Sequence, residues 1–474
     1  MPSITPWRRP APRLGILAPV PVPRPPIDRL VLLGAAGDLA TRHTLPALAH
    51  LVADDVLPAD LLVVGVGREQ LTDESYRALA AQHLADHASG AASVDRLLRR
   101  LRWVHADLAQ DPDLRTAVGS GPVVAYLALP PAAYAPAVRA LGAAGVAAGS
   151  RAVVEKPFGQ DLATARELTR HLHTVFDESD IFRVDHFLHH QTVQDLLAVR
   201  FANPLLAPLW NGRHIERVEI TWEETAAVSG RADFYDRTGA LRDMVQSHLL
   251  QLVALVAMAE PRPGDERSLR DEKVAVLSRV PSLTPAQVAT RSARGRYTAG
   301  TVGDRRQAGY LEEPGVDRGR STETHASLVL AVDDPRWHGV PFELRTGKAL
   351  GAARREIAVH FRSRLGAFLA GGPAVLRLQM SPDRVSLDLQ GAGASGLPSV
   401  APLRLEVARP RQSSPASARM LQAVLAGDPT FAVRDDEVEQ SWRIVDSVLA
   451  GWRTGIPPLE DYPAGSAGPE RPRG

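Results

Sequence analysis

Proton transfer near neutral pH is the chemistry for which this sequence offers the most suitable groups. His248 lies in Gly239-Ala240-Leu241-Arg242-Asp243-Met244-Val245-Gln246-Ser247-His248-Leu249-Leu250-Gln251-Leu252, a run with apolar residues at helical spacing and Asp243, Gln246 and Ser247 beside the histidine. Asp185 and His186 lie upstream in Arg183-Val184-Asp185-His186-Phe187-Leu188. An imidazole titrates near neutrality, so it suits a base that takes a hydroxyl proton as hydride leaves the carbon. A carboxylate behind it would fix the tautomer and stabilise the imidazolium. Spacing does not pair Asp185 with His248, and a helix histidine flanked by leucines equally fits a satisfied core or surface residue.

Lysine occurs only at Lys156, Lys273 and Lys348 in a chain rich in arginine. Ammonium and guanidinium are not interchangeable in a tight polar pocket, so a surviving lysine points to a specific need. Lys156 sits in Glu155-Lys156-Pro157-Phe158-Gly159 and Lys348 in Glu343-Leu344-Arg345-Thr346-Gly347-Lys348-Ala349-Leu350, whereas Lys273, in Asp271-Glu272-Lys273, reads as a surface remnant of skewed composition. His186, His189 and His190 are spaced so that two or three could share a helix face and hold a metal, but no acidic motif completes the set, and no metal is expected.

These groups need a scaffold. Leu30-Val31-Leu32-Leu33 runs into Gly34-Ala35-Ala36-Gly37-Asp38-Leu39-Ala40 and then the helical Leu45-Pro46-Ala47-Leu48-Ala49, which reads as strand, tight turn and helix. Glycines there let backbone approach a pyrophosphate at a helix N-terminus, although the same turn joins many strands to helices. Two further apolar runs, Leu61 to Arg68 and Val123 to Pro131, outline a doubly wound sheet. Arg68 stands where an arginine suits the 2′-phosphate of NADP, while Glu69 could accept from the free 2′-hydroxyl of NAD; NADP is expected, with NAD possible.

The organisation expected is an α/β Rossmann-like dinucleotide-binding domain over residues 28–182, then a second α+β domain with a large antiparallel sheet over 183–462. The segment Ile215 to Trp222 alternates with period two, as a half-buried strand should, and further strands are expected near Ala326 to Val332, Ile357 to Phe361 and Leu376 to Met380. Residues 1–27, rich in proline and arginine, and 463–474 read as disordered tails. Length 474, 45% hydrophobic residues and a formal charge of +1 describe a globular chain with no field favouring nucleic acid. No apolar run is long enough to span a bilayer, and the absence of cysteine fits a reducing, cytoplasmic setting.

Taken together, the motifs at Glu155 to Gly159, Arg183 to Leu188 and Gln194-Asp195-Leu196-Leu197-Ala198-Val199-Arg200-Phe201-Ala202-Asn203 resemble the signature of the glucose-6-phosphate dehydrogenase family. The similarity continues through Gly239 to Met258, Tyr310-Leu311-Glu312-Glu313, the Lys348 motif and Asp435-Asp436-Glu437-Val438, nearly the whole chain beyond the N-terminal tail. It implies oxidation of glucose 6-phosphate to its lactone, with His248 as proton acceptor and Asp185 as the dyad carboxylate. His186 and His190 would meet the sugar phosphate, Glu224 and Asp243 would orient hydroxyls, Lys348 would bind the sugar, and Lys156 would touch sugar and cofactor. Gly34, Ala36, Gly37, Asp38, Leu39, Arg68, Tyr126 and the Pro130-Pro131 pair match the family's NADP positions. A homodimer or homotetramer formed through the second domain's sheet is also implied.

The sequence departs from that pattern where charge meets substrate. His189-His190-Gln191 replaces the expected Gly-Lys-Glu, Phe187 replaces a tyrosine, His43 a basic residue of the phosphate turn, Ser229 an acid, and Ser417-Ala418 a Tyr-Glu pair. A phosphate dianion would lose one fixed cation and one hydroxyl donor, each charge-assisted bond being worth about 1.5–3 kcal/mol. Oxidation of a different or unphosphorylated pyranose, or a non-catalytic nucleotide- or sugar-binding role, are the alternatives this raises. A protonated His190 would restore the charge and make sugar affinity pH-dependent.

Overall fold

A computed structural model of the chain describes residues 25–472 except 86–89, 229, 264, 266, 364–370, 381, 398 and 410–413. Residues 1–24 of the expected N-terminal tail, and Ser229, lie outside the described residues. That tail was expected to reach residue 27, but Ile27 is already buried in the core.

Strands β1 (Arg29–Leu33), β2 (Leu62–Gly67), β3 (Leu101–His105), β4 (Val123–Leu127), β5 (Arg151–Glu155) and β6 (Ile181–Val184) form one parallel sheet in the order β3-β2-β1-β4-β5-β6. Their apolar runs are continuous because helices cover both faces, as a doubly wound parallel sheet requires. In such sheets ligands gather beyond the carboxyl ends of the strands. Gly34 follows β1, Ala128 follows β4, Lys156 follows β5 and Asp185 follows β6, so the topology brings the candidate groups to one edge.

The expected domain boundary after residue 182 cuts β6, because Phe182 to Val184 pair with Val153 to Glu155 and complete the first sheet. The first domain also draws on distant chain: the helix Ala416–Ala426 buries Ala418, Leu421 and Val424 in the core that holds the helix Leu45–Ala53, and Arg151 donates to Val424 O at 3.0 Å.

The second sheet comprises β7 (Ile215–Glu223), β8 (Ser292–Thr298), β11 (His325–Leu330), β12 (Phe342–Gly347), β13 (Arg354–Phe361), β14 (Val375–Gln379), β15 (Arg384–Ala392), β16 (Val400–Ala408) and β17 (Leu459–Pro463); a hairpin of β9 (Gly300–Val302) and β10 (Arg305–Gln307) stands apart. Its order is β16-β15-β14-β13-β7-β12-β11-β8-β17. The sheet is mixed rather than purely antiparallel, since β12 runs parallel to β7 and β17 parallel to β8. The centre of β7 is buried on both faces, Glu219 and Thr221 included, so its period-two pattern reflects polar pairing across the sheet and not a solvated face.

A helix apolar except for Gln251, Leu250–Ala257, has every residue buried, as befits a core spine. It continues a π-helical stretch, Leu241–Leu249, that carries Asp243 and His248; such wide turns recur at functional sites. The entry to this stretch is a kink at Gly239, whose φ of 72° and close approach to the Glu323 carboxylate, 2.5 Å from where a Cβ would stand, require glycine. Glu323 Oε1 accepts from Leu241 N at 2.9 Å and so satisfies a terminal amide.

Two further expectations change. Residues 463–472 are packed, not frayed: Tyr462 and Ala464 are buried and Arg471 pairs with Glu219 at 3.3 Å. Lys273 is no surface remnant, for it is fully buried with Glu437, Nζ to Oε2 2.8 Å, and donates to Gln251 Oε1 at 3.0 Å.

Candidate active site

Asp185 opens a 3-10 turn, His186–His189, at the end of β6, and its Oδ1 accepts from Phe187 N at 3.0 Å. Its other oxygen, Oδ2, lies 2.6 Å from His248 Nδ1. The two residues that spacing left unpaired therefore form a dyad, with side-chain exposures of 2% and 8%. Burial alone would raise the Asp185 pKa, but the His248 imidazole beside it holds the carboxyl well below its ordinary value. An ionised Asp185 fixes the proton on Nδ1 and leaves the His248 Nε2 lone pair to face the cleft.

Lys156 Nζ meets that lone pair at 2.7 Å, and also donates to Asp243 O at 3.0 Å and Oδ1 at 3.2 Å. Burial opposes the charge on Asp243, yet Lys156, then His248 and Lys348, lower its pKa. Lys348 pairs with Glu224, which also accepts from Arg355 at 3.0 Å. Lys156, Asp243, Lys348 and Glu224 keep exposures of 25%, 21%, 19% and 16%, so they form an accessible polar row over the buried dyad.

His186 and His190 complete the cluster. Phe187 is its hub, with ring centroids 4.9 Å from His248, 5.7 Å from His190 and 5.1 Å from Trp222, while His186 stands 6.5 Å from His248 and 6.4 Å from His190. Burial lowers the His186 pKa to about 4 and lowers that of His190 as well, so both are neutral at pH 7 without a bound anion. The three clustered histidines do not share a helix face: His189 turns away, packing against Phe431 at 5.4 Å, and His190 caps the helix Gln191–Phe201. Among the described residues, the one group disposed like metal ligands is His173, Glu178 and Asp435, and there Arg183 already holds Glu178 at 2.6 Å.

The expected cofactor positions lie along the first sheet. Gly34, φ +80°, donates to Val66 O at 2.8 Å, and a Cβ on it would come within 2.4 Å of Ala128 O, so side chain is excluded where β1 meets β4. Ala36 and Leu39 are half-buried, and Gly37 and Asp38 are exposed at the turn. Arg68 is exposed beyond β2, and Glu69 folds its carboxylate over Gly67. This cradle fits a dinucleotide pyrophosphate. Tyr126 is buried and donates its hydroxyl to Glu155, bracing β4 against β5 beneath the cleft.

Arg231 was not anticipated. Burial first, and then its charge and that of Arg42, lower the pKa of His43 beside the turn. Trp222 and Arg355 were also missed. They face each other across β7 and β13, guanidinium 4.9 Å from the ring, a pairing visible only once strand register is known.

Two family models match the chain, the NAD binding domain of glucose-6-phosphate dehydrogenase over residues 31–195 and its C-terminal domain over residues 197–473. Glucose-6-phosphate 1-dehydrogenase of Mycolicibacterium smegmatis (strain ATCC 700084 / mc(2)155) is 39% identical across 95% of this chain and 95% of its own length. The enzyme of that name from Treponema pallidum (strain Nichols) is 37% identical across 93% and 92%. A glucose-6-phosphate dehydrogenase solved with its substrate glucose-6-phosphate superimposes with a TM-score of 0.86 at 28% identity, over 94% of this chain and 96% of its own. The crystal structure of glucose-6-phosphate 1-dehydrogenase from Mycobacterium avium gives 0.82 at 34% identity, over 94% and 95%. The dyad, the polar row above it and the glycine cradle lie within this shared span, and the chain belongs to the glucose-6-phosphate dehydrogenase family.

Proposed function

We infer that this protein oxidises glucose 6-phosphate to 6-phosphogluconolactone, with NADP as hydride acceptor. The observation that carries the mechanism is the Asp185–His248 pair at 2.6 Å, with Nε2 facing Lys156 of the polar row at 2.7 Å. His248 takes the proton of the C1 hydroxyl through Nε2, and Asp185 stabilises the imidazolium that forms. Lys156 leaves its contact with Nε2 to make room for that hydroxyl and serves sugar and cofactor together. Asp243 and Glu224 orient ring hydroxyls, Lys348 binds the sugar, and His186 and His190 receive the phosphate. NADP supplies the electrophilic nicotinamide carbon. Gly34, Ala36, Gly37, Asp38 and Leu39 cradle its pyrophosphate, Arg68 its 2′-phosphate, and Tyr126 underlies the turn.

The exposed apolar residues Leu403, Leu405 and Val407 on the edge strand β16 support assembly of a homodimer or homotetramer through the second sheet. No helix among the described residues is long and apolar enough to cross a membrane, and the cysteine-free composition supports a cytoplasmic setting. An absorbance assay of reduced nicotinamide, run with glucose 6-phosphate or glucose and with NADP or NAD, tests the assignment. Turnover of the phosphorylated sugar with NADP is expected; faster turnover of free glucose would transfer the assignment to an unphosphorylated substrate.

A further inference from the structure

The loop that carries Lys348 is held from outside by the segment that ends β17 and follows it. Tyr462 is buried, and its hydroxyl donates to the carbonyl oxygen of Lys348 at 2.8 Å while lying 2.9 Å from Thr324 Oγ1. Lys348 N in turn donates to Thr324 O at 3.0 Å, so the backbone of Lys348 is fixed at both its amide and its carbonyl. The next residues repeat the pattern. Gly465 N donates to Ala349 O at 2.8 Å, Gly351 N donates to Ser466 O at 2.9 Å, and the Arg345 side chain donates to Ala467 O.

Two details show that this seam is specific. Ala349 adopts φ 51°, a left-handed conformation that a non-glycine residue keeps only when its surroundings impose it. Gly351 and Gly465 approach so closely that a Cβ on Gly351 would stand 2.4 Å from Gly465 O. On the other side of the loop, Glu224 N donates to Gly347 O and Leu350 N to Glu224 O, each at 2.9 Å, which locks Glu224 and Lys348 into one unit.

We propose that Tyr462 is a positioning residue for sugar binding, and that residues 462–468 form a strap that aims the Lys348 ammonium. Tyr462 touches no reacting atom and acts through Lys348; the inference therefore rests on the reading of Lys348 as a sugar ligand. Tyr462→Phe removes one hydroxyl, keeps the ring packing, and frees the Lys348 carbonyl.

The test is a double-mutant cycle in the full chain with Tyr462→Phe, Lys348→Gln and both together. Tyr462→Phe is expected to raise the KM for glucose 6-phosphate roughly fivefold, the worth of one hydrogen bond, while kcat and the KM for NADP stay within about twofold. Lys348→Gln raises the same KM further, and adding Tyr462→Phe to it has no additional effect. A sugar KM raised by Lys348→Gln but untouched by Tyr462→Phe overturns the strap alone. So does full multiplication of the two effects, or a Tyr462→Phe defect spread equally over both substrates. A sugar KM unmoved by Lys348→Gln removes the reading of Lys348 and the strap with it.

Discussion

Lys156 Nζ and His248 Nε2 are 2.7 Å apart, so the ammonium occupies the place that the proposed mechanism assigns to the substrate hydroxyl. The contact is possible because Asp185 keeps the imidazole proton on Nδ1. Asp185→Asn places an amide there, whose N–H favours the opposite tautomer and turns Nε2 into a donor facing a cation. We expect kcat to fall by about 10²–10⁴ while the dissociation constant for NADP, measured by nicotinamide-nucleotide titration, is unchanged. Retention of more than a tenth of the wild-type kcat by Asp185→Asn is incompatible with His248 acting as the base.

The proposed role of His190 as a phosphate ligand carries a pH dependence of sugar affinity. His190 is neutral in the free protein because burial lowers its pKa, and a bound dianion favours its protonated form. Binding then takes up a proton, so the KM for glucose 6-phosphate should rise with pH between the pKa values of the free and the bound enzyme. Measurement above about pH 7 avoids the second ionisation of the phosphate itself. His190→Lys supplies a permanent charge and should flatten the profile. A wild-type KM that is level from about pH 6 to 9 shows that His190 contributes no charge.

The first domain and the motifs that carry the family resemblance are legible because each depends on local pattern. Gly34 to Leu39 follows an apolar run, and the Asp185 and His248 motifs retain their neighbours; β1 and β2 lie within a residue of the expected runs, and β4 starts with its run but ends at Leu127, short of Pro131. What could not be read depends on pairing across hundreds of residues. The helix Ala416–Ala426 returns to cover the first domain, and Arg355 meets Trp222 through strand register. Lys273 looked like surface because Asp271 and Glu272 precede it, yet its helix turns it inward to Glu437. Residues 463–472 lack the apolar periodicity of an ordered element, but residues 465–467 are held through their backbone by hydrogen bonds to the Lys348 loop, which leave no mark in side-chain type.

Acid should destabilise the protein before its carboxylates titrate. Burial lowers His186 and His189 to about 4 and His325 to about 3, from 6.5. Each binds a proton in the unfolded chain at a pH where the folded chain does not. Stability from these groups is therefore complete above about pH 6.5 and is lost as pH falls toward 4, at up to about 1.4 kcal/mol per pH unit for each histidine. Urea midpoints measured across that window should decline, and His325→Gln should lessen the slope. A midpoint constant from pH 7 to 5 contradicts the assignment of these rings as buried and neutral.

Lys273 and Glu437 form an ion pair with no exposed side-chain surface, and Gln251, one helical turn beyond His248, bonds to both. Removing Lys273 takes away the countercharge and leaves the Glu437 carboxylate buried with neutral donors, Gln251 Nε2 at 3.1 Å and Arg434 N at 3.2 Å. Lys273→Met should cost about 3–5 kcal/mol of folding stability, read from urea midpoints. In Lys273→Met/Glu437→Gln no charge remains in this pair, and an amide at 437 can accept from Arg434 N, to which Glu437 Oε1 lies at 3.2 Å, while its NH2 donates to the Gln251 Oε1 that Lys273 has left. The double variant should therefore recover most of the loss. Equal destabilisation of the single and double variants would mean that packing of the lysine stem, and not its charge, holds the helix of His248 in place.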